Sequence, residues 1–166
     1  MTILVRAARA GEGGEILTIH RRAVHEAGRA DYGPEILQAW SPMSAPEEIA
    51  ARAARFDRKI ERGEIIVVAE VDGAIAGFGE LVPAENMLLA LYVNPDNMRR
   101  GVGAAILLEL ERLAREQGLN WLGLNSSLTA ERFYKKNGYR VIEPGSHSLG
   151  NNLWMPCVKM RKDFSN

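Results

Sequence analysis

Asp72-Gly73 stands between two runs rich in β-branched and small apolar residues, Ile65 to Val71 and Ala74 to Val82. An Asp-Gly pair readily takes the positive φ values of a two-residue hairpin turn, so these runs predict antiparallel neighbours in one sheet. Asn86 to Val93 adds a third strand before the break at Asn94-Pro95. The apolar period then turns helical from Gly101 to Gln117. Gly103, Ile106, Leu107, Leu110, Leu113 and Ala114 share its buried face, and Gly118 is the stop signal.

The flanking segments fill in the same pattern. Ile3 to Ala7 reads as a first strand. A helical stretch follows from Glu12 to Arg29, with Ile16, Ile19, Ala23 and Ala27 on one stripe. Tyr32-Gly33-Pro34 breaks it, and Pro34 suits the first position of a short helix ending near Trp40. Another helix is expected from Pro46 to Glu61, with Gly63 after it. Downstream, Trp121 to Asn125 reads as a strand, Thr129 to Asn137 as a helix, and Tyr139 to Ile142 and Leu153 to Met160 as strands. The order predicts an α/β (α+β) fold: a mixed, mostly antiparallel central sheet flanked by helices, with residues 1–166 as one domain.

Composition narrows the function classes. Basic and acidic residues number 21 each, so the net charge of zero argues against general nucleic-acid binding, which draws on a basic surplus. Cys157 is the one cysteine, which excludes an intrachain disulfide and suits a reducing cytoplasm. It reads as a buried structural thiol in an apolar strand. No signal peptide is expected from Met1-Thr2-Ile3-Leu4-Val5-Arg6, and no apolar run reaches the roughly 20 residues of a membrane span.

Chemistry concentrates at two places. Arg99-Arg100-Gly101-Val102-Gly103-Ala104-Ala105 carries the chain from a strand into an amphipathic helix. A helix start leaves N–H groups unpaired and partly positive, glycines let the main chain approach a ligand, and two arginines add charge. An anion site follows. A Rossmann fingerprint would need glycine where Ile106 stands, and the Gly-Lys-Ser/Thr of a Walker A loop is absent. The second place is Ser127-Leu128-Thr129-Ala130-Glu131-Arg132-Phe133-Tyr134-Lys135-Lys136-Asn137-Gly138-Tyr139. Ser127 or Thr129 can cap the short helix, Phe133 points to the core, and Tyr134 turns toward a cleft.

Together the two motifs resemble the Gcn5-related N-acetyltransferase (GNAT) family, and Ser-Leu-Thr-Ala before Phe-Tyr is similar to a bacterial subgroup of it. The resemblance implies an acetyltransferase that moves an acetyl group from acetyl-CoA directly to a primary amine of a small molecule or peptide. By resemblance, backbone groups of Leu91, Tyr92 and Val93 pair with the pantetheine arm. Arg99, Arg100, Gly101, Val102, Gly103 and Ala104 hold the pyrophosphate, with Met98 where the family commonly has Gln or Arg. Ser127 stands where the family often has Asn, and Tyr134 matches the tyrosine that donates to the coenzyme sulfur. A non-catalytic acyl-CoA-binding module of the same fold is the alternative, and a homodimer is compatible with either.

The proton acceptor is the least determined part. Met87 and Leu89 occupy the positions where family members often carry an acid, so Glu80 is the first candidate for the base, with Glu85, Glu26 and Asp31 as alternatives. His147, expected in the loop between the last two strands, is a base or an acceptor contact. His20 and His25 are about 140° apart around a helix and do not form a metal pair, so no metal is expected. No Gly-x-Ser-x-Gly elbow is present. Tyr32 and Trp40 flank the short helix and are candidates for the acceptor wall.

Overall fold

In the strand Ile65–Val71 (β2), Ile66 and Val68 are buried toward one face, and Val67, Ala69 and Val71 toward the other. A strand buried on both sides requires helices on both sides. The computed structural model describes residues 1–165 and has that arrangement. Its seven-stranded sheet runs in the order β1 (Ile3–Ala7), β2, β3 (Ala74–Val82), β4 (Met87–Val93), β5 (Trp121–Ser127), β7 (Trp154–Asp163), β6 (Arg140–Ser148). All neighbours are antiparallel except β4 and β5, which are parallel. The mixed, mostly antiparallel sheet expected from the sequence is therefore present.

On one face lie α4 (Val102–Glu116) and α5 (Glu131–Lys136), packed through Ile106, Leu107, Leu110, Ala114 and Tyr134. A Cβ on Gly79 would come within 2.7 Å of side-chain carbons of Ile106 and Leu110, so the bare glycine lets α4 rest directly on β3. On the other face, α1 (Gly13–Arg22) and α3 (Pro46–Glu61) bury Ile16, Ile19 and Phe56 against Phe78. The short α2 (Pro34–Trp40) joins Val24, Tyr32 and Met155 in a third apolar cluster. Glu111, 2% exposed, receives Lys162 at 3.0 Å and the Tyr139 hydroxyl at 3.1 Å, which secures β7 to α4. Among the described residues, no helix is long and apolar enough to cross a membrane.

Besides β5 and β7, which run on to Ser127 and Asp163, three elements differ from the sequence reading. The first helix does not stay α-helical to Arg29: after Arg22 it widens into a π turn over Ala23–Ala27 and then tightens to a 3-10 turn over Gly28–Ala30. The strand expected over Tyr139 to Ile142 runs instead from Arg140 to Ser148, because its polar second half is held as an edge strand by β7. The last short helix begins at Glu131 rather than Thr129. Ser127 Oγ accepts the Ala130 amide at 3.2 Å, while the Thr129 hydroxyl is spent on Asp31 at 2.8 Å.

Where β4 meets β5, the pairing rests on one position. Met87 stands opposite Gly123, and Asn86, with φ 52°, accepts the Gly123 amide at 2.8 Å. The Asn86 side chain donates to the Trp121 carbonyl at 3.2 Å. Asparagine tolerates this left-handed backbone better than other side chains. We predict that Asn86→Ala lowers stability by about 1–2 kcal/mol, combining a lost hydrogen bond with backbone strain. Asn86→Gly regains the backbone share. Chemical denaturation checks both, and an Asn86→Ala variant as stable as the parent would contradict the clasp.

Candidate active site

Past Met87, β4 and β5 part. β4 remains paired with β3 through Val93, while β5 is taken along its length by β7. A cavity of about 160 Å³ occupies the fork, and Leu91, Tyr92, Ser127, Tyr134, His147 and Cys157 line it. It adjoins a larger cavity of about 670 Å³ through the shared residues Trp40, Leu91, Tyr92, Ser127, Ala130 and Tyr134.

The larger cavity collects most of the residues singled out in the sequence. Leu91, Tyr92, Val93, Arg99, Gly101, Gly103, Ala104, Ser127 and Tyr134 all line it. Arg100 and Val102 do not: Arg100 is exposed, and Val102, 1% exposed, anchors the start of α4 in the core. Met98 adds an apolar wall where a polar contact would otherwise stand. Lys136, Asn137, Ala23, Ala27 and Gly28 also line the cavity and were not assigned from the sequence. Lys136 and Asn137 lay inside the Phe-Tyr-Lys-Lys-Asn-Gly motif. The helical period puts Ala23 and Ala27 on the stripe of Ile16 and Ile19, from which the π turn rotates them.

The turn into α4 has a strained, anion-ready shape. Arg99 (φ 62°) and Gly101 (φ 86°) are both left-handed, and Gly101 is the N-cap of α4. The first intrahelical bond is from the Ala105 amide to the Gly101 carbonyl, at 3.0 Å. The amides of Val102, Gly103 and Ala104 precede it and have no helical partner. A left-handed residue followed by helical ones also forms a concave nest of N–H groups suited to an anion. A Cβ on Gly103 would lie 3.3 Å from the Phe133 ring, so any larger side chain there intrudes on the cavity wall. Arg22, at the end of α1, donates to Asn94 at 2.8 Å and to Asp96 at 2.9 Å, tying the first helix to the chain just before this turn.

Tyr134 is 5% exposed, and burial raises its pKa, so its phenol stays protonated at neutral pH. Burial likewise raises the Cys157 thiol, which keeps it a thiol rather than a nucleophilic thiolate. Tyr32 fixes the loop before α5. Its hydroxyl accepts the Leu128 amide at 2.8 Å and donates to the Pro156 carbonyl at 2.6 Å, joining the α1–α2 connection, the β5–α5 loop and β7. Tyr92 is stacked on Phe78 with ring centroids 5.5 Å apart, and burial pushes its pKa up to about 12.

The structure separates Glu80 from this assembly. The pleat sends Gly79 toward α4 and Glu80 toward α3, where Glu80, 3% exposed, is ion-paired with Lys59. It lines neither the fork nor the larger cavity, so the placement expected for a base is not met. Glu85, Glu26 and Asp31 are exposed and line neither cavity. His147 does line the fork, from strand β6 rather than from a loop. His20 Nδ1 lies 2.9 Å from Ser41 Oγ, and burial, with Arg52 nearby, lowers its pKa to about 4.

Comparison with known proteins agrees with this geometry. The family model described as an acetyltransferase (GNAT) domain matches residues 29–164. The uncharacterized N-acetyltransferase YafP of Escherichia coli is 25% identical over 141 residues, covering 85% of this chain and 83% of YafP. A crystal structure of a GCN5-related N-acetyltransferase from Rhodopseudomonas palustris superposes with a TM-score of 0.85 at 28% identity, over 99% of this chain and 97% of that one. A PaiA N-acetyltransferase from Thermoplasma acidophilum, crystallised with coenzyme A, shares the fold. Its TM-score is 0.78 at 21% identity, over 99% of this chain and 100% of that one.

The half-buried His20 gives the protein a pH signature. Its pKa near 4 lies below the ordinary 6.5, so the unfolded chain takes up the proton first as pH falls. The contribution is complete above about 6.5 and is lost as pH falls through that interval toward 4. His20→Gln cannot titrate and flattens this share of the acid destabilisation, by at most about 3 kcal/mol. Urea unfolding of both proteins at pH values above and below the interval measures it. Parallel losses in the two proteins would contradict the role given to His20.

Proposed function

Because the chain belongs to the GNAT acetyltransferase family, we propose that it transfers the acetyl group of acetyl-CoA to a primary amine of a small molecule or peptide. The observation that carries this reading is the parting of β4 and β5 after Met87, which leaves a strand edge facing a cavity that leads to the start of α4. The free edge at Leu91, Tyr92 and Val93 suits the amides of a pantetheine arm, as a partner strand would. The amides of Val102, Gly103 and Ala104, backed by Arg99 and Lys136, suit a pyrophosphate. Ser127 offers a hydroxyl in the throat between them.

Bound acetyl-CoA supplies an electrophilic thioester. An ammonium has no lone pair, so the amine must give up a proton before it can attack. Among the described residues, those lining the fork include no carboxylate and one imidazole, His147. We assign His147 the role of proton acceptor, directly or through a water molecule. The Tyr134 phenol, held protonated by burial, donates to the sulfur as it leaves. Glu80 serves as the buried counter-charge of Lys59.

A second reading, acyl-CoA binding without turnover, draws support from Met87 and Leu89, which put no acid on β4. Tyr134 in the throat weighs against it. Release of free thiol from acetyl-CoA across a panel of primary amines decides between them. Tyr134→Phe is expected to lower kcat by at least about tenfold while coenzyme affinity stays within about twofold, the pattern of a lost general acid. Undiminished turnover would remove that role. Gly103→Arg is expected to abolish coenzyme binding by calorimetry in a protein that still folds, and unchanged affinity would remove the turn from the site.

A further inference from the structure

A third cavity, of about 210 Å³, opens between α1, α2 and α3 and is lined by His20, Trp40, Arg52, Arg55, Phe56 and Lys59, among others. The four α3 residues fall at helical spacings of three, one and three, which puts them on one face. Their charges are not balanced. Lys59 is committed to Glu80. Arg52 and Arg55 make no ion pair or side-chain hydrogen bond among the described residues, and Glu48, whose field reaches Arg52, is not paired with it. Arg21 stands close enough for its charge to be felt at Arg52, and its Nε is buried without a hydrogen-bond partner. Arg52, half-buried, loses solvation and is repelled by Arg21 and by the exposed Arg55, and an arriving anion relieves both costs.

The rest of the lining suits a small organic molecule. Trp40 and Phe56 provide apolar walls, and the neutral His20 ring adds no competing charge. Trp40 also lines the fork and the larger cavity, so this pocket and the thioester-facing space share a wall. The His20 ring meets Tyr92 edge-on at 4.5 Å, and Tyr92 in turn lines the fork. Trp40 and Tyr92 thus stand between the arginines and Tyr134, and a molecule held on the arginines reaches the fork by passing these two rings.

We propose that the acceptor is a primary amine carrying an anionic group, carboxylate or phosphate, at its far end, and that Arg52 and Arg55 select it. This rests on the acetyltransferase reading above. Guanidinium forks bind either anion through paired N–H bonds. The same two charges repel a diamine, whose far end is cationic.

Matched acceptors test the selection. β-Alanine, propylamine and propanediamine form a short set, ε-aminocaproate, hexylamine and hexanediamine a long one. O-Phosphoethanolamine against ethanolamine separates phosphate from carboxylate. In at least one set the anionic member is expected to exceed its neutral and cationic counterparts in kcat/KM by on the order of tenfold, the scale of one charge-assisted hydrogen bond. Replacing Arg52 and Arg55 together by Gln levels the series by raising the KM of the anionic acceptor, and leaves the KM for acetyl-CoA in place. Preference for neutral or cationic amines throughout overturns the proposal.

If no amine is acetylated, ε-aminocaproate and O-phosphoethanolamine are titrated into the protein with coenzyme A, and the Trp40 indole resonance is followed. A shift lost in the double variant upholds the anion pocket while the transfer reading falls. No shift with either compound overturns the pocket itself.

Discussion

Asn86 accepts the Gly123 amide and donates to the Trp121 carbonyl from a left-handed backbone, and this clasp closes the one ladder position between β4 and β5. Its position decides the architecture of the site. Because the strands are fastened only at Met87, they diverge toward Val93 and Ser127, and the gap widens in the direction of α4. Elsewhere the sheet is continuous: β3 holds β4 on one side and β7 holds β5 on the other. The opening is thus framed by intact ladders, which fix its width better than loops would.

Strand alternation then divides the chemistry. Leu91 and Val93 face the α4 side and pack against the core there, while Ala90 and Tyr92 face α1 and α3. One strand therefore carries two walls. The face toward α4 ends at a left-handed turn with unpaired amides, and the face toward α1 and α3 ends at a cluster of aromatic rings with arginines beyond. Both faces suit negative charge, by backbone dipoles on one side and by guanidinium groups on the other, even though the whole chain has no net charge.

Much of this was legible in the sequence because it rests on local rules. Asp72-Gly73 takes a positive φ in its hairpin, Pro34 and Pro46 open helices, and the glycines after Arg100 mark the entry to α4. Features governed by pairing were not. Glu80 sits beside a bulge at Glu80/Leu81, and which side it faces depends on how β3 registers against β4 and on where α3 lies. The segment Glu143 to Ser148 contains Pro144, Gly145 and two serines, the composition of a loop, yet β7 recruits it as an edge strand and so carries His147 to the fork. The pocket of Arg52 and Arg55 depends on α1, α2 and α3 packing together, and no spacing within one helix announces that.

The π turn at Ala23–Ala27 holds more backbone per turn than the α-helix before it. Ile16 and Ile19, upstream, stay on the core, while Ala23 and Ala27 are swung to the large cavity. Each residue added to or removed from a helix turns everything after it by about 100°. Length at this point is therefore an evolutionary dial: a one-residue indel would re-aim Ala23 and Ala27 and leave Ile16 and Ile19 in place, while also turning the buried Val24 out of its cluster. Cavity shape and core packing are thus written on the same helix, separately at Ile16 and Ile19 and jointly at Val24.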